Sequence, residues 1–253
     1  MKNLIEKVLE FGKACLETFA RLEGVDRALA LAAQAFSALF PVLILIAAIE
    51  PSGKSKDLGD TLIDQFGLTG EGADAVKHAF AAPEAVKSSV TIISILFVTF
   101  SALAFARALQ RLYEKAWNLQ PRGIRSTGWG LGWLVIFSLY WAIITAIGDH
   151  DRVVIGLILA FALWLVTPYL LLERRIPWRT LVPQAMLTAV GIVGVGIWSS
   201  VYMSRAVSTS AEQFGVVGVS FALLTWLVAL AFAIVISAAV GTVIHAELHP
   251  ADD

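Results

Sequence analysis

The sequence predicts an all-α fold, namely a polytopic membrane bundle of six transmembrane helices with both termini in the cytoplasm. Of its 253 residues, 58% are hydrophobic and only 15% are charged, whereas soluble domains average about 45–50% and about 25%. The mean hydropathy of +0.76 agrees. One globular core cannot bury this excess, because a soluble protein of this size needs a polar shell. The apolar residues also form long continuous runs, which barrel strands do not.

The first element is an amphipathic N-terminal interfacial helix over residues 1–27. Apolar side chains recur there at helical spacing and form one stripe, which comprises Leu4, Val8, Phe11, Cys15, Phe19 and Leu22. Lysines and glutamates lie opposite them. This pattern is typical of a helix in the headgroup plane, and docking against the cytoplasmic helix ends explains it equally well.

The next region, residues 28–246, holds six runs of the length that a bilayer crossing needs, about 20 residues. They predict spans at 28–49, 88–106, 126–148, 153–172, 180–204 and 217–244. Helices satisfy their own backbone hydrogen bonds in lipid, which favours them further. The last apolar run is longer than one crossing requires. It either tilts or begins with a turn near Gly215 and Gly218.

The segments outside the predicted spans are short, except for an outer loop over residues 50–87. Two short helices are indicated in that loop, the first by Leu58, Leu62, Ile63 and Phe66 and the second by Val76 and Phe80, with a glycine-containing break at 67–72 between them. Mixed acids and lysines are typical of a solvated surface, and a lid over an outer cavity is the alternative. Residues 247–253 form a short cytoplasmic tail.

The orientation follows from the basic residues. Thirteen lysines and arginines lie in the N-terminal arm, the link between spans two and three, and the turn between spans four and five, against six in the other connections. Because cytoplasmic loops carry the excess of Lys and Arg, these three segments are expected inside the cell.

Polar residues and prolines interrupt the predicted spans. Uncharged polar side chains and helix breakers suggest a substrate pathway, formed by Gln34, Ser37, Pro41, Thr167, Pro168 and Gln184. Helix packing is the simpler explanation of the small residues. Pro41 and Pro168 each fall in the first helix of a three-helix half, which is compatible with an inverted repeat.

Arginines cluster at the predicted inner edge. An anionic lipid headgroup is a natural ligand there, and the candidates are Arg107, Arg111, Arg174, Arg175 and Arg179. Snorkelling of these side chains to the membrane surface is the alternative.

The sequence predicts no catalytic residue, metal or cofactor, so the chain is not expected to be an enzyme. It lacks a nucleophile elbow and a phosphate-binding loop motif. The turn from Asp149 to Asp151 and the segment from His245 to His249 each have too few converging ligands for a metal site. A net charge of −1 gives no basic field for nucleic acid.

Four stretches resemble the YihY/BrkB family of bacterial inner-membrane proteins. They are AAQAFSALFP at 32–41, LYEKAWN at 112–118, IPWR at 176–179, and FGVVGV at 214–219 with the helix that follows through residue 248. The resemblance implies a multi-pass protein of the bacterial cytoplasmic membrane with six helices. Members are often described as virulence or serum-resistance factors, and transport of lipids or envelope precursors is among the proposals for them.

We therefore expect a transporter or flippase-like protein for a lipid or envelope precursor, with membrane lipids as its partners. A non-transporting membrane scaffold or assembly partner is the alternative, and a membrane-embedded enzyme is a weaker one. The sequence leaves a protein partner and a homo-oligomer open.

Overall fold

The computed structural model describes residues 2–49, 60, 63, 68, 70–80, 91–146 and 152–248. These residues form helices and turns, and no strand occurs among them, as the sequence predicts. The α-helices are α1 (Lys2–Arg21), α2 (Gly24–Ile49), α3 (Glu71–Phe80), α4 (Thr91–Ala116), α5 (Thr127–Ala146), α6 (Arg152–Leu171) and α7 (Trp178–Leu248). A short 3-10 helix, Gly123–Ser126, precedes α5.

Helix α7 contains a break at Gly215, where φ is 57° and ψ is −136°. A side chain rarely adopts this conformation, so the break requires glycine. This position agrees with one of the two alternatives for the last apolar run, namely a turn near Gly215 and Gly218 at its start. The helix that begins at Trp178 extends beyond the predicted fifth span, 180–204. It continues to the break because Met203, Val207 and Ala211 maintain a buried face at helical spacing.

The chain divides into two compact units. The first comprises Met1–Ala30, Ala106–Ile192 and Ala231–Asp253. Within it the two parts of α7 run antiparallel at close range, since a Cβ at Gly241 would lie 2.6 Å from Cβ of Gln184, and one at Gly191 would lie 3.2 Å from Cβ of Ala233. Small residues permit this approach of two helices.

The second unit comprises Leu31–Phe105 and Val193–Leu230. Its core joins Met203, Val207 and Ala211, before the break in α7, to Val219 and Leu223 after it. Leu68 and Val76 pack on the same core. The loop helix predicted around Val76 and Phe80 is present as α3. Gly72 lies inside α3 rather than in the expected break, and Gly70, just before α3, has a positive φ. Leu58, Leu62 and Phe66 lie outside the described residues.

Three helical segments among the described residues are long and apolar enough to cross a membrane: Thr127–Ile144, Trp178–Ser200 and Val217–Leu248. They correspond to the third, fifth and sixth predicted spans. A shorter apolar segment, Ile155–Leu171, corresponds to the fourth. Only 11% of Thr127–Ile144 is buried by protein, which leaves an apolar surface of the kind that lipid covers.

Helix α1 is anchored at its C-terminal end. Leu22 is fully buried, and the ring of Phe19 stacks on that of Phe232 at a centroid distance of 6.4 Å. Val8, which also belongs to the predicted apolar stripe, is 63% exposed. The apolar arc of α1 is therefore wider than the part of it that packs against protein.

Candidate functional site

Segments from three predicted inner-side regions meet within the first unit. Arg21 of α1 donates a hydrogen bond to Asn118 Oδ1 at 2.6 Å. Lys115 Nζ lies 3.0 Å from a carboxylate oxygen of Glu23. Further along, Arg122 pairs with Glu173. We call this region, residues 21–27, 114–122 and 173–175, the basic junction. Its contacts place the N-terminal arm, the α4–α5 link and the α6–α7 turn at one end of this unit.

The buried carboxylate of Glu114 lies at the centre of the basic junction. Arg175 Nη2 donates to its Oε1 at 2.7 Å, and Gln110 Nε2 donates to the same oxygen at 3.1 Å. The other donors of Arg175 are also used, since Nη1 donates to the Gln120 carbonyl at 2.9 Å and Nε to the Leu172 carbonyl at 3.0 Å. A buried carboxylate needs such partners. Because Arg175 contacts both Glu114 at the end of α4 and Gln120 in the α4–α5 link, it holds the link in place.

A cleft of about 380 Å³ opens beside this network. Its lining comes from the start of α2 and the end of α4 with the link after it, and consists of Arg27, Arg111, Glu114, Lys115, Asn118, Leu119 and Pro121. Arg111 is exposed, and within the described part of the chain it makes no hydrogen bond or ion pair. Three cations therefore face the cleft, and the one buried acid is neutralised by Arg175.

Glu23 lies at the turn between α1 and α2 and is the counterion of this cleft. Its carboxylate pairs with Lys115 at 3.0 Å and with Arg27 Nη2 at 3.8 Å. Lys115 donates a hydrogen bond and adds its charge, and Arg27 acts in the same direction, so the pKa of Glu23 is lowered below its ordinary value. Glu23 therefore stays ionised at neutral pH.

Of the five arginines predicted to contact a headgroup, Arg111 lines the cleft. The others have protein contacts: Arg107 donates to Thr127 Oγ1 at 3.0 Å, and Arg174 lies over the rings of Trp129 and Tyr169. Arg179 lies over Trp178 at 5.5 Å, and Arg175 belongs to the Glu114 network. The role of this set as headgroup contacts stays a prediction.

Arg27 and Lys115 line the cleft, although the sequence did not assign them a ligand. A signal was present, because Arg111 and Lys115 are four residues apart and lie on neighbouring turns of one helix face. Arg27 comes from a distant segment, so spacing could not have placed it beside them.

The first group of predicted pathway residues lies on α2. The side-chain oxygen of Gln34 is buried without a hydrogen-bond partner among the described residues. One turn later, Ser37 Oγ donates to the Ala33 carbonyl at 2.8 Å. Pro41 also lies in α2, and its side chain is outside the described part. An unsatisfied amide oxygen suits a polar route, which stays a prediction.

The second group is held by tryptophans. Trp133 Nε1 donates to Thr167 Oγ1 at 3.0 Å, and Trp117 Nε1 donates to Gln184 Oε1 at 3.1 Å. Pro168 is buried in α6 beside Thr167. These bonds satisfy polar groups that would be costly in an apolar interior, so packing accounts for both side chains.

Metal-binding side chains do not converge in the described residues, where no three of His, Cys, Asp and Glu form a group that could hold an ion. The turn at Asp149–Asp151 and residue His249 lie outside the described part. The ring of His245 lies 5.4 Å from that of Trp117, so it is occupied by an aromatic contact.

Fold and site together define a membrane-type helical protein with a cationic cleft. The family model described as Virulence factor BrkB matches residues 15–253. The chain therefore belongs to the Virulence factor BrkB family, which confirms the resemblance seen in the sequence. Neither the curated proteins nor the solved structures include a match to it.

Proposed function

We propose that the protein is a multi-pass protein of the bacterial inner membrane, with six crossings and both termini in the cytoplasm. The candidate spans and the family support this proposal. Trp178 and Trp198 also support it. The twenty residues of helix that separate them correspond to about 30 Å, the thickness of the hydrocarbon core. Both side chains are exposed, as interfacial tryptophans are.

Within this membrane the protein is a transporter or flippase-like protein for a lipid or envelope precursor. The observation that carries this function is the open cationic cleft, with Arg111 unpartnered among the described residues. The unit that contains the cleft also has an apolar groove of about 140 Å³ between α5 and α6, lined in part by Leu139, Ile143, Leu159 and Leu163. Cationic and apolar surfaces in one unit suit a ligand with an anionic head and an acyl tail.

Reconstitution into vesicles tests the function. Fluorescent phosphatidylglycerol is placed in both leaflets, and a membrane-impermeant reductant bleaches the outer leaflet only. Folded protein is expected to raise the bleached fraction above one half. Arg111→Ala should slow this movement about tenfold, the size of one lost charge-assisted interaction.

The matched control is Arg125→Ala, which removes an exposed arginine from the same link outside the cleft. It should behave like the wild type. The proposal fails if folded protein moves neither phosphatidylglycerol nor phosphatidic acid, nor any other envelope lipid supplied.

A non-transporting scaffold is the second candidate. The observation in its favour is the use of Thr167 and Gln184 in bonds to tryptophans, together with the close packing of Gly241 on Gln184. A scaffold should retain a stoichiometric protein partner through purification in mild detergent. It should also leave the fluorescent lipid unmoved.

A further inference from the structure

We infer that the cleft beside the basic junction binds a phosphate group, and that Glu23 is the resident counterion which this phosphate displaces. The inference rests on the proposed function only for the source of the phosphate, a lipid headgroup. The binding chemistry is independent of transport, because a protein can hold a headgroup without moving it.

The arrangement of cations favours phosphate. Arg111 offers guanidinium donors that no described residue engages, and Lys115 and Arg27 contribute two further charges from a second direction. Guanidinium groups match the oxygens of phosphate in fork geometry, and an ammonium adds a point charge. A volume of about 380 Å³ lies at the small end of ligand sites, so it suits a headgroup rather than a whole lipid.

The acids near the cleft do not exclude an anion. Glu114 forms an ion pair with Arg175 at 2.7 Å, and this pair neutralises the charge of its carboxylate. Glu23 is the remaining acid in contact with the lining cations among the described residues. Its side chain is 61% exposed, and exposed ion pairs contribute little to stability. Displacement of Glu23 from Lys115 therefore costs little.

The backbone places Glu23 at the rim. Its φ of 54° lies in the left-handed region, which non-glycine residues seldom occupy. The amide of Glu23 donates to the Ala20 carbonyl at 2.9 Å, and the Glu23 carbonyl accepts from the Arg27 amide at 3.0 Å. Main-chain bonds thus fix the turn without using the carboxylate. A phosphate can take its place without unfolding α1 or α2.

The experiment measures binding with the full chain. Inorganic pyrophosphate is titrated into detergent-solubilised protein at low salt, and vesicles of phosphatidylcholine with and without phosphatidic acid are titrated in parallel. Glu23→Gln should tighten phosphate binding several-fold, because it releases Lys115 and keeps the shape of the side chain. Arg111→Ala should weaken binding about tenfold, and Arg125→Ala should leave it unchanged.

Each outcome has one meaning for the inference. Tighter binding in Glu23→Gln together with weaker binding in Arg111→Ala supports it, with the responding ligand showing whether the phosphate is free or carried by lipid. Unchanged or weaker binding in Glu23→Gln, in protein that melts like the wild type, overturns it. If Arg111→Ala fails to fold, Arg111→Gln replaces it. If the protein binds phosphate but moves no lipid, this inference stands and the transport function is removed. If the protein moves lipid at a rate that neither variant changes, the transport function stands and this inference is removed.

Discussion

Glu114 shows how one side chain can change the interpretation of its neighbours. It lies on the same face of α4 as Arg107 and Arg111, a pattern that indicates a solvated face. In the structure its side chain is only 3% exposed, and that of Arg175 is 16% exposed. Because Glu114 is buried, Arg175, which the sequence suggested as a headgroup ligand, forms an ion pair within the protein. Arg111 could be singled out from the sequence as a cation on this helix, but the Arg175–Glu114 pairing depends on a contact between distant segments.

The first residue-scale prediction concerns Arg175→Ala. This change leaves Glu114 buried without its cation and frees the carbonyls of Gln120 and Leu172. We expect the free energy of unfolding to fall by about 3 kcal/mol. Denaturant unfolding in detergent micelles measures it.

Arg175→Lys should recover only part of this loss, since an ammonium cannot reproduce the three-way contact of the guanidinium. Arg125→Ala is the control and should change stability by less than about 0.5 kcal/mol. Equal stability of Arg175→Ala and wild type would show that Glu114 does not depend on Arg175 as its partner.

At the scale of elements, the sequence predicts helices well and their ends less well. Long apolar runs indicate helices because backbone groups in lipid must bond internally. The reversal within α7 was one of two open alternatives, because apolarity alone does not distinguish a tilted helix from a turn. Gly215 decides it through its dihedral angles, and Gly218 supports it, since a Cβ there would overlap the Ser210 carbonyl oxygen.

Gly215→Ala tests the reversal. An alanine in this conformation is strained by about 1–3 kcal/mol, so we expect a lower midpoint of thermal unfolding in detergent. Gly194→Ala is the matched control, because Gly194 lies in the same helix and no atom lies within 4 Å of the position that an alanine methyl group would occupy. That control should be neutral or slightly stabilising. Equal effects of the two changes would contradict the assignment of the break to Gly215.

Helix α1 has one flank that suits each of the two alternatives that its sequence left open. Phe19 and Leu22 pack against protein, while Ile5, Leu9 and Leu16 form an uncovered apolar row and are 57%, 66% and 72% exposed. The docked and interfacial interpretations therefore describe two flanks of one apolar arc.

We predict that the uncovered flank of α1 contacts lipid. In a Cys15→Ser background, an environment-sensitive fluorophore on a cysteine at position 9 should shift to the blue when the protein enters vesicles. The same probe at position 13, on the charged face, should not shift. Matching spectra at the two positions would show that α1 stays clear of the membrane surface.

At the scale of the whole molecule, the crossing number and orientation stay predictions with a direct test. In the Cys15→Ser background, single cysteines introduced at Asn3 and Arg125 should resist a membrane-impermeant thiol reagent in intact cells and react after permeabilisation. A cysteine at Lys54, in the predicted outer loop, should react without permeabilisation. Labelling at Asn3 from outside would reverse the orientation and remove the basis for a cytoplasmic cleft.

The buried pair of Glu114 and Arg175 has a consequence for biosynthesis. The two residues are 61 positions apart, so at about 5–20 residues per second the acid is made roughly 3 to 12 s before its partner. During that interval α5 and α6 are synthesised, and the carboxylate at the end of α4 has no arginine with which to pair. Water has to solvate this carboxylate until Arg175 has been made, and this sets the order in which the contacts of the basic junction can form.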